Sequence, residues 1–477
     1  MSTRRAQIDA LEKEILRGEQ RLQGLRRRLD VLRAEAVYPV LSLPTEITTE
    51  IFCHCALAFP KTAPLTLVRV CSSWRAVAME TPLLWSTVSL LWDRHANDRD
   101  VVEFLETFVE RAAHCVLDLE LTVLSPVIDI AKMVGFITAL KRCSPQMRTW
   151  TVKMPGAFAT GFNSLILNRF PDLGFSALEE LTFIRTGENW DVPSIDIFQP
   201  PAAPKLSRVS LSSLPPTELN LEAGWQNVFD FVAEDVALVQ CLHTLQETTR
   251  LKSCILRDLI FDPNGSAAHA PTPLGNFFLQ PLTLDSLTRL TLIGGNAIQL
   301  LRFASFPMLD SLELVDVVHG LDDVLDHFFE RSLCPLQHLT IRPLASDHDS
   351  TVSIHLSMTF GVLPISTLSI SHPSTSLTIA LLQPEALETP KFLPYLRSLA
   401  LYDCPAAKFP SFVAAVGEQL ERRVSTAGLN SSVETIRVIS GRPYPYLPKV
   451  NDEMLAPLDR LRKRGIQIEV GEFGPAG

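Results

Sequence analysis

The sequence predicts an α/β chain in three parts: a short N-terminal coiled-coil helix over residues 1–37, three short helices over 42–88, and an irregular solenoid of parallel strands with outer helices over 89–477. Three observations carry this. An apolar stripe of heptad spacing opens the chain, helix signals crowd the segment after it, and a six-residue apolar template then returns nine times.

Composition narrows the function classes. The chain has 477 residues, 46% of them hydrophobic and 20% charged. At roughly 100–200 residues per domain, that is material for several domains or for one repeat array with attachments, and too apolar for general disorder. The formal net charge of -10 argues against a phosphate-neutralising surface, so no nucleic acid is expected. No window approaches the roughly 18 consecutive apolar residues of a spanning helix, so no membrane is expected either. The N-terminus carries charges where a secretory leader needs an apolar run. Nine cysteines scattered from Cys53 to Cys404 lack paired spacing and read as reduced thiols of the cytoplasm or nucleus.

The heptad stripe consists of Ile8, Leu11, Ile15, Leu22, Leu25, Leu29, Leu32 and Ala36, with Gly18 in one core slot. Arg17, Arg21, Arg26, Arg27, Arg28 and Arg33 flank it against Glu12, Glu14, Glu19 and Asp30. Such a stripe needs a partner, and self-association is expected. Gly18 weakens the helix by about 1 kcal/mol relative to alanine.

The character changes at Val37-Tyr38-Pro39. Leu43-Pro44 then reads as a helix start, with Pro44 in the first turn, where its missing N–H costs nothing, and Glu46 near the positive helix end. Ile47 and Ile51 at i, i+4, with Phe52 beside them, predict an apolar stripe leaving the helix surface. Leu67, Val70, Cys71 and Trp74 are expected to share a second helical face, stopped by Pro82. Helices this short cannot enclose a core alone, so part of their apolar surface belongs to another protein.

Beyond Trp85 the template apolar-x-x-apolar-x-apolar begins at Leu178, Leu206, Leu251, Leu287, Leu309, Leu336, Ile365, Leu396 and Val433. Its last four positions alternate, as a strand with one buried face requires. Proline precedes several copies, as in APKL, FPML and LPYL, ending a helix and setting an extended entry. Helix-like stretches such as LDDVLDHFFERSL from Leu321 and FVAAVGEQLERRV from Phe412 lie between. Trp85–Leu91, Val116–Val123 and Met147–Val152 read as earlier strands, and Asp262–Asn276 as a loop. Leucine-rich stacking follows from this pattern.

Leu43-Pro44-Thr45-Glu46-Ile47, Ile51-Phe52, Val70-Cys71, Trp74-Arg75, Ala78, Pro82 and Leu84-Trp85 resemble, in order and spacing, the F-box, especially its fungal, basidiomycete-like version. The resemblance spans about a tenth of the chain, and the heptad lead-in and degenerate leucine-rich repeats are similar in layout to the rest of that family. It implies a substrate-recognition adaptor of an SCF (Skp-cullin-F-box) ubiquitin ligase: the F-box binds the Skp-type linker of a cullin-RING ligase, and the repeats hold a protein substrate. By position, Leu43 and Pro44 would enter the linker's groove, with Ile47, Ile51, Val70, Cys71 and Trp74 in the interface or its support. Unlike tidy leucine-rich repeats, the array lacks a regular asparagine ladder, with only Cys404 at the corresponding position.

No catalytic, metal or cofactor motif accompanies this. Cys53-His54-Cys55 puts three donors on neighbouring helical positions that point apart, with no second pair at finger spacing. Asp347-His348-Asp349-Ser350 has acid–base ingredients without a nucleophile elbow. A phosphate-cradling or dinucleotide fingerprint is missing. The expected chain is therefore a non-enzymatic adaptor, the alternative being a non-degradative leucine-rich scaffold with an F-box-like cap.

Overall fold

The computed structural model describes residues 2–35, 43–93, 98–124, 130–170, 173–187, 203–213, 225–260, 281–317, 321–343, 363–371, 393, 395–404, 409–427, 433–440 and 452–472. The chain divides into two compact units, Met1–Val88 with Thr107–Cys115, and Ser89–Glu106 with Val116–Gly477. The Asp347–Ser350 cluster and the loop Asp262–Asn276 lie outside the described residues.

The first unit is helical. Helix α1 (Ser2–Glu35) is continuous through Gly18 and Gly24, and Ile8, Leu11, Ile15, Leu22, Leu25, Leu29 and Leu32 are all exposed along it. Helices α2 (Thr45–Ala58), α3 (Ala63–Val70) and α4 (Ser72–Met79) follow, then a 3₁₀ turn, Pro82–Trp85.

The second unit is built on one sheet. Its fourteen strands run in chain order: β1 (Thr87–Trp92), β2 (Leu117–Val123), β3 (Met147–Pro155), β4 (Glu180–Thr186), β5 (Arg208–Ser212), β6 (Asp230–Glu234) and β7 (Ser253–Arg257), then β8 (Arg289–Ile293), β9 (Ser311–Val317), β10 (His338–Pro343), β11 (Thr367–Ser371), β12 (Ser398–Cys404), β13 (Thr435–Ser440) and β14 (Gln467–Glu472). From β2 to β14 every described pairing is parallel. Parallel neighbours need crossovers, usually helical; α5 (Asp98–Ala112), α6 (Ile130–Cys143), α7 (Gly156–Arg169), α8 (Leu238–Glu247), the single turn α9 (Leu300–Phe303), α10 (Leu321–Ser332), α11 (Phe409–Ala427) and α12 (Asp452–Lys463) fill that place.

All nine template segments run into strands of this sheet, and their apolar positions explain the register. Leu287, Leu290 and Leu292 are buried while Arg289, Thr291 and Ile293 are not, and the same alternation recurs along the sheet. At the entries of β5 to β13 two consecutive N–H groups converge on one carbonyl of the previous segment. Thr288 and Arg289 donate to Lys252, Asp310 and Ser311 to Thr288, and Gln337 and His338 to Asp310.

At the strand exits a second device appears where an asparagine ladder is missing. Ser213, Asp235, Asp258, Gly294 and Asp316, each directly following a strand or lying at its end, take positive φ of 58°, 52°, 46°, 90° and 53°. The N–H of Ser213 donates to Glu234, that of Asp235 to Arg257, that of Asp258 to Ile293 and that of Gly294 to Val315. Only glycine and short polar residues tolerate this left-handed conformation at low cost, which accounts for the residue types found there.

Aromatic packing fills the interior of the sheet's early part. Trp92 meets Phe136 and Phe158 at 5.1 and 5.7 Å between centroids, and Trp150 stacks on Phe175 at 5.0 Å. Two strands of this sheet exceed the sequence expectation, β6 and β14. Trp85 lies in the 3₁₀ turn rather than in β1, which starts at Thr87.

Candidate partner-binding surface

Helix α2 starts one residue later than expected. Pro44 is the N-cap, with φ -53° and ψ 147°, instead of a member of the first turn. Its carbonyl accepts both the N–H of Thr48 at 3.0 Å and the Thr48 hydroxyl at 3.2 Å. That local bond lets Thr48 be buried at low cost, and Phe52, four residues on, is buried beside it.

The face holding Thr48 and Phe52 therefore points inward, which corrects the stripe expected from sequence. Ile47 and Ile51 point the other way, 49% and 40% exposed, and Leu43 and Pro44 are exposed at the helix start. Phe52 does not belong to that outward stripe. Burying a side chain of this size stabilises by roughly 1.5–3 kcal/mol, so Leu43, Ile47 and Ile51 together are a substantial unmet apolar surface.

The second expected face is also rearranged. Residues 63–79 form two helices broken at Cys71, whose backbone is extended at φ -157° and ψ 172°. Cys71 caps α4, its Sγ accepting from the Trp74 N–H at 3.4 Å. Within the first of these helices Leu67 is buried while Val70 is 54% exposed, so the four residues do not share one face. The Arg75 guanidinium donates through Nε to the Val68 carbonyl at 2.9 Å and holds the two helices at this corner.

Trp74 is half-buried and supports the site from within. Its ring packs edge to face on Phe52, while its indole Nε1 is buried without a hydrogen-bond partner among the described residues. Helix α4 ends at Met79, three residues before Pro82, which opens the 3₁₀ turn instead of stopping the helix. Trp85, fully buried, donates from Nε1 to the Ala78 carbonyl at 2.8 Å and packs on Phe108 at 5.0 Å under the Arg111 guanidinium at 4.3 Å.

Leu57, Phe59, Met79 and Leu83 are further exposed apolar residues of this unit that sequence reasoning passed over. Leu83 carried a signal, since it sits between the buried Thr81 and Leu84 in a segment too short to hide every apolar residue.

Chemistry at the surface is sparse. Burial first, and then the Glu50 carboxylate, raise the Cys53 thiol above its ordinary value. His54 is exposed and lies 3.5 Å from Glu50. Among the described residues no three histidine, cysteine or acidic side chains come together as a metal site, and no helix is long and apolar enough to cross a membrane. On the open side of the sheet, Arg397 lies 3.7 Å from Glu434, while Arg289 is exposed at the start of β8.

Residues 40–91 match the F-box-like family model, a span that holds α2, α3, α4 and the 3₁₀ turn. No curated protein matches the chain.

Proposed function

We propose, from the F-box-like segment at residues 40–91, that this chain is a non-catalytic substrate-recognition subunit of an SCF-type ubiquitin ligase. The observation that carries the reading is the open face of α2. Leu43, Pro44, Ile47 and Ile51 are exposed within that segment, and they are the residues assigned to the Skp-type linker. Val70 extends the contact, while Cys71 and Trp74 hold the helices that present it.

In this reading the parallel sheet and its crossovers are an irregular leucine-rich-repeat solenoid of the fungal, basidiomycete-like F-box kind, and its exposed strand residues bind a protein substrate. Ubiquitin chemistry then resides in the other subunits of the cullin-RING assembly, and this chain contributes proximity. Its place of action is the cytoplasm or nucleus, in keeping with nine free thiols.

The test is a titration of the purified chain with its Skp-type linker, wild type beside Leu43→Ala/Pro44→Ala. A buried anchor costs at least about 2 kcal/mol on truncation, roughly thirtyfold in affinity. Tight binding with that loss supports the adaptor. Absence of wild-type binding leaves the second reading, a non-degradative repeat scaffold whose copies associate through α1, which the open stripe of that helix favours.

A further inference from the structure

We infer that α1 pairs with α1 of a second copy in antiparallel orientation. This rests on the coiled-coil reading of the helix and is independent of linker binding. With Ile8, Ile15, Leu22 and Leu29 at one core position and Leu11, Gly18, Leu25 and Leu32 at the other, the charges beside the core separate by sign along the helix. Glu12, Glu14 and Glu19 flank its first half; Arg21, Arg26 and Arg28 flank its second.

Orientation decides what those charges meet. In a parallel pair each residue before a core position faces the one five residues on in the other copy. Glu14 would then face Glu19, and Arg21 would face Arg26, twice each, so every charged contact among these six repels. In an antiparallel pair centred on residue 20, Glu12 of one copy meets Arg26 of the other, and Glu14 meets Arg28, again twice each. Among these six, only the two central self-contacts, Glu19 with Glu19 and Arg21 with Arg21, join like charges; at the outer ends Arg5 meets Arg33, also alike.

The core layers agree. Parallel pairing stacks Gly18 on Gly18 and leaves one layer empty, and a Cβ built at Gly18 meets nothing within 4 Å. Antiparallel pairing sets Ile8 against Leu32, Leu11 against Leu29, Ile15 against Leu25 and Gly18 against Leu22. Every layer then holds at least one leucine. All the large side chains among these are exposed in the single chain. Because α1 runs over 34 residues, roughly 50 Å at 1.5 Å per residue, such a pair would launch the two copies' helical units from opposite ends of a rod.

Charge reversal separates the orientations, read by sedimentation equilibrium of the full-length chain. Glu14→Arg/Arg26→Glu turns the four opposite-charge contacts of an antiparallel pair into like-charge ones, yet turns the four repulsive contacts of a parallel pair into attractive ones. We expect a wild-type dimer, a dissociation constant at least tenfold weaker in the double variant, and recovery when Glu12→Arg and Arg28→Glu are added, since that fourfold variant restores every pair with signs exchanged. A dimer that tightens or is unchanged in the double variant overturns the orientation alone. A wild-type chain that stays monomeric at tens of micromolar overturns the self-pairing. The linker titration is unaffected in each case, so failure here is distinct from failure of the adaptor reading.

Discussion

Phe52 and Trp74 meet edge to face across α2 and α4, with ring centroids 5.1 Å apart and planes inclined at 63°. Phe52 is fully buried, whereas Ile51, its neighbour in sequence, is exposed. Phe52 thus serves the fold, and the proposed linker contact falls to its exposed neighbour Ile51. Phe52→Ala is expected to cost about 3–5 kcal/mol of stability. Ile47→Ala/Ile51→Ala should stay within about 0.5 kcal/mol per residue of wild type and lose linker affinity instead. Urea unfolding beside a linker titration checks both.

Gly294 is held at φ +90°, and a Cβ there would clash with the Asp258 Oδ1 atom. Gly294→Ala should therefore destabilise by about 1 kcal/mol or more, through both strain and the clash. Asp258, itself at φ +46°, should accept glycine but not valine. The midpoints of urea transitions for the three variants rank these costs.

One guanidinium closes a helix end in the middle of the sheet. Arg331 Nη2 donates to the carbonyls of Leu301 and Ala304, the latter at 2.7 Å. Arg331→Met keeps the stem but leaves two carbonyls unserved, so a loss of about 1–3 kcal/mol is expected. Hydrogen exchange should rise first in residues 300–305.

Helices α11 and α12 are joined by a bidentate pair, Arg460 Nε and Nη2 to Glu421 at 2.6 and 2.7 Å. The hydrogen bond from Arg460 is the main cause that holds the Glu421 carboxyl below its ordinary value of 4.5. A depressed carboxyl stabilises the fold above its ordinary value, and that contribution is lost as pH falls through the folded one. Glu421→Gln should thus flatten the acid side of a stability profile taken from about pH 6 to 3 by removing the pair's contribution at neutral pH, a small loss because the pair is exposed, and leaving the acid end unchanged.

Thiol reactivity should split the nine cysteines. Burial pushes Cys143 and Cys241 up to about 12 and Cys334 to about 11, and raises Cys254 well above the ordinary range. Together with Cys404 these are buried, while Cys53, Cys55, Cys71 and Cys115 are half-buried. A neutral, buried thiol is inert. At most four thiols should react in the native chain with an aromatic disulfide reagent, and all nine after unfolding.

The strands were legible wherever leucine, isoleucine or valine filled the template, because period-two alternation with large apolar residues leaves one face to bury. Strand β6 departs from the template since Ala233 holds its last slot, and β14 because Gly465, at φ +89°, interrupts the approach to Ile466. At the candidate surface the residues were legible but their directions were not. Ile51 and Phe52 are both apolar and adjacent, and only the Thr48 hydroxyl bonded to Pro44 shows which side turns in. Nothing in Val70-Cys71-Ser72 announces a break, since the extended conformation of Cys71 is fixed by its cap onto Trp74.

Strand order has a mechanical consequence. Because neighbours in the sheet are also neighbours along the chain, force applied at the two ends would load one seam at a time. The sheet should peel from its edges in a series of small steps, each releasing one strand and its crossover, so that a chain held under tension could pay out length while the middle strands stay folded.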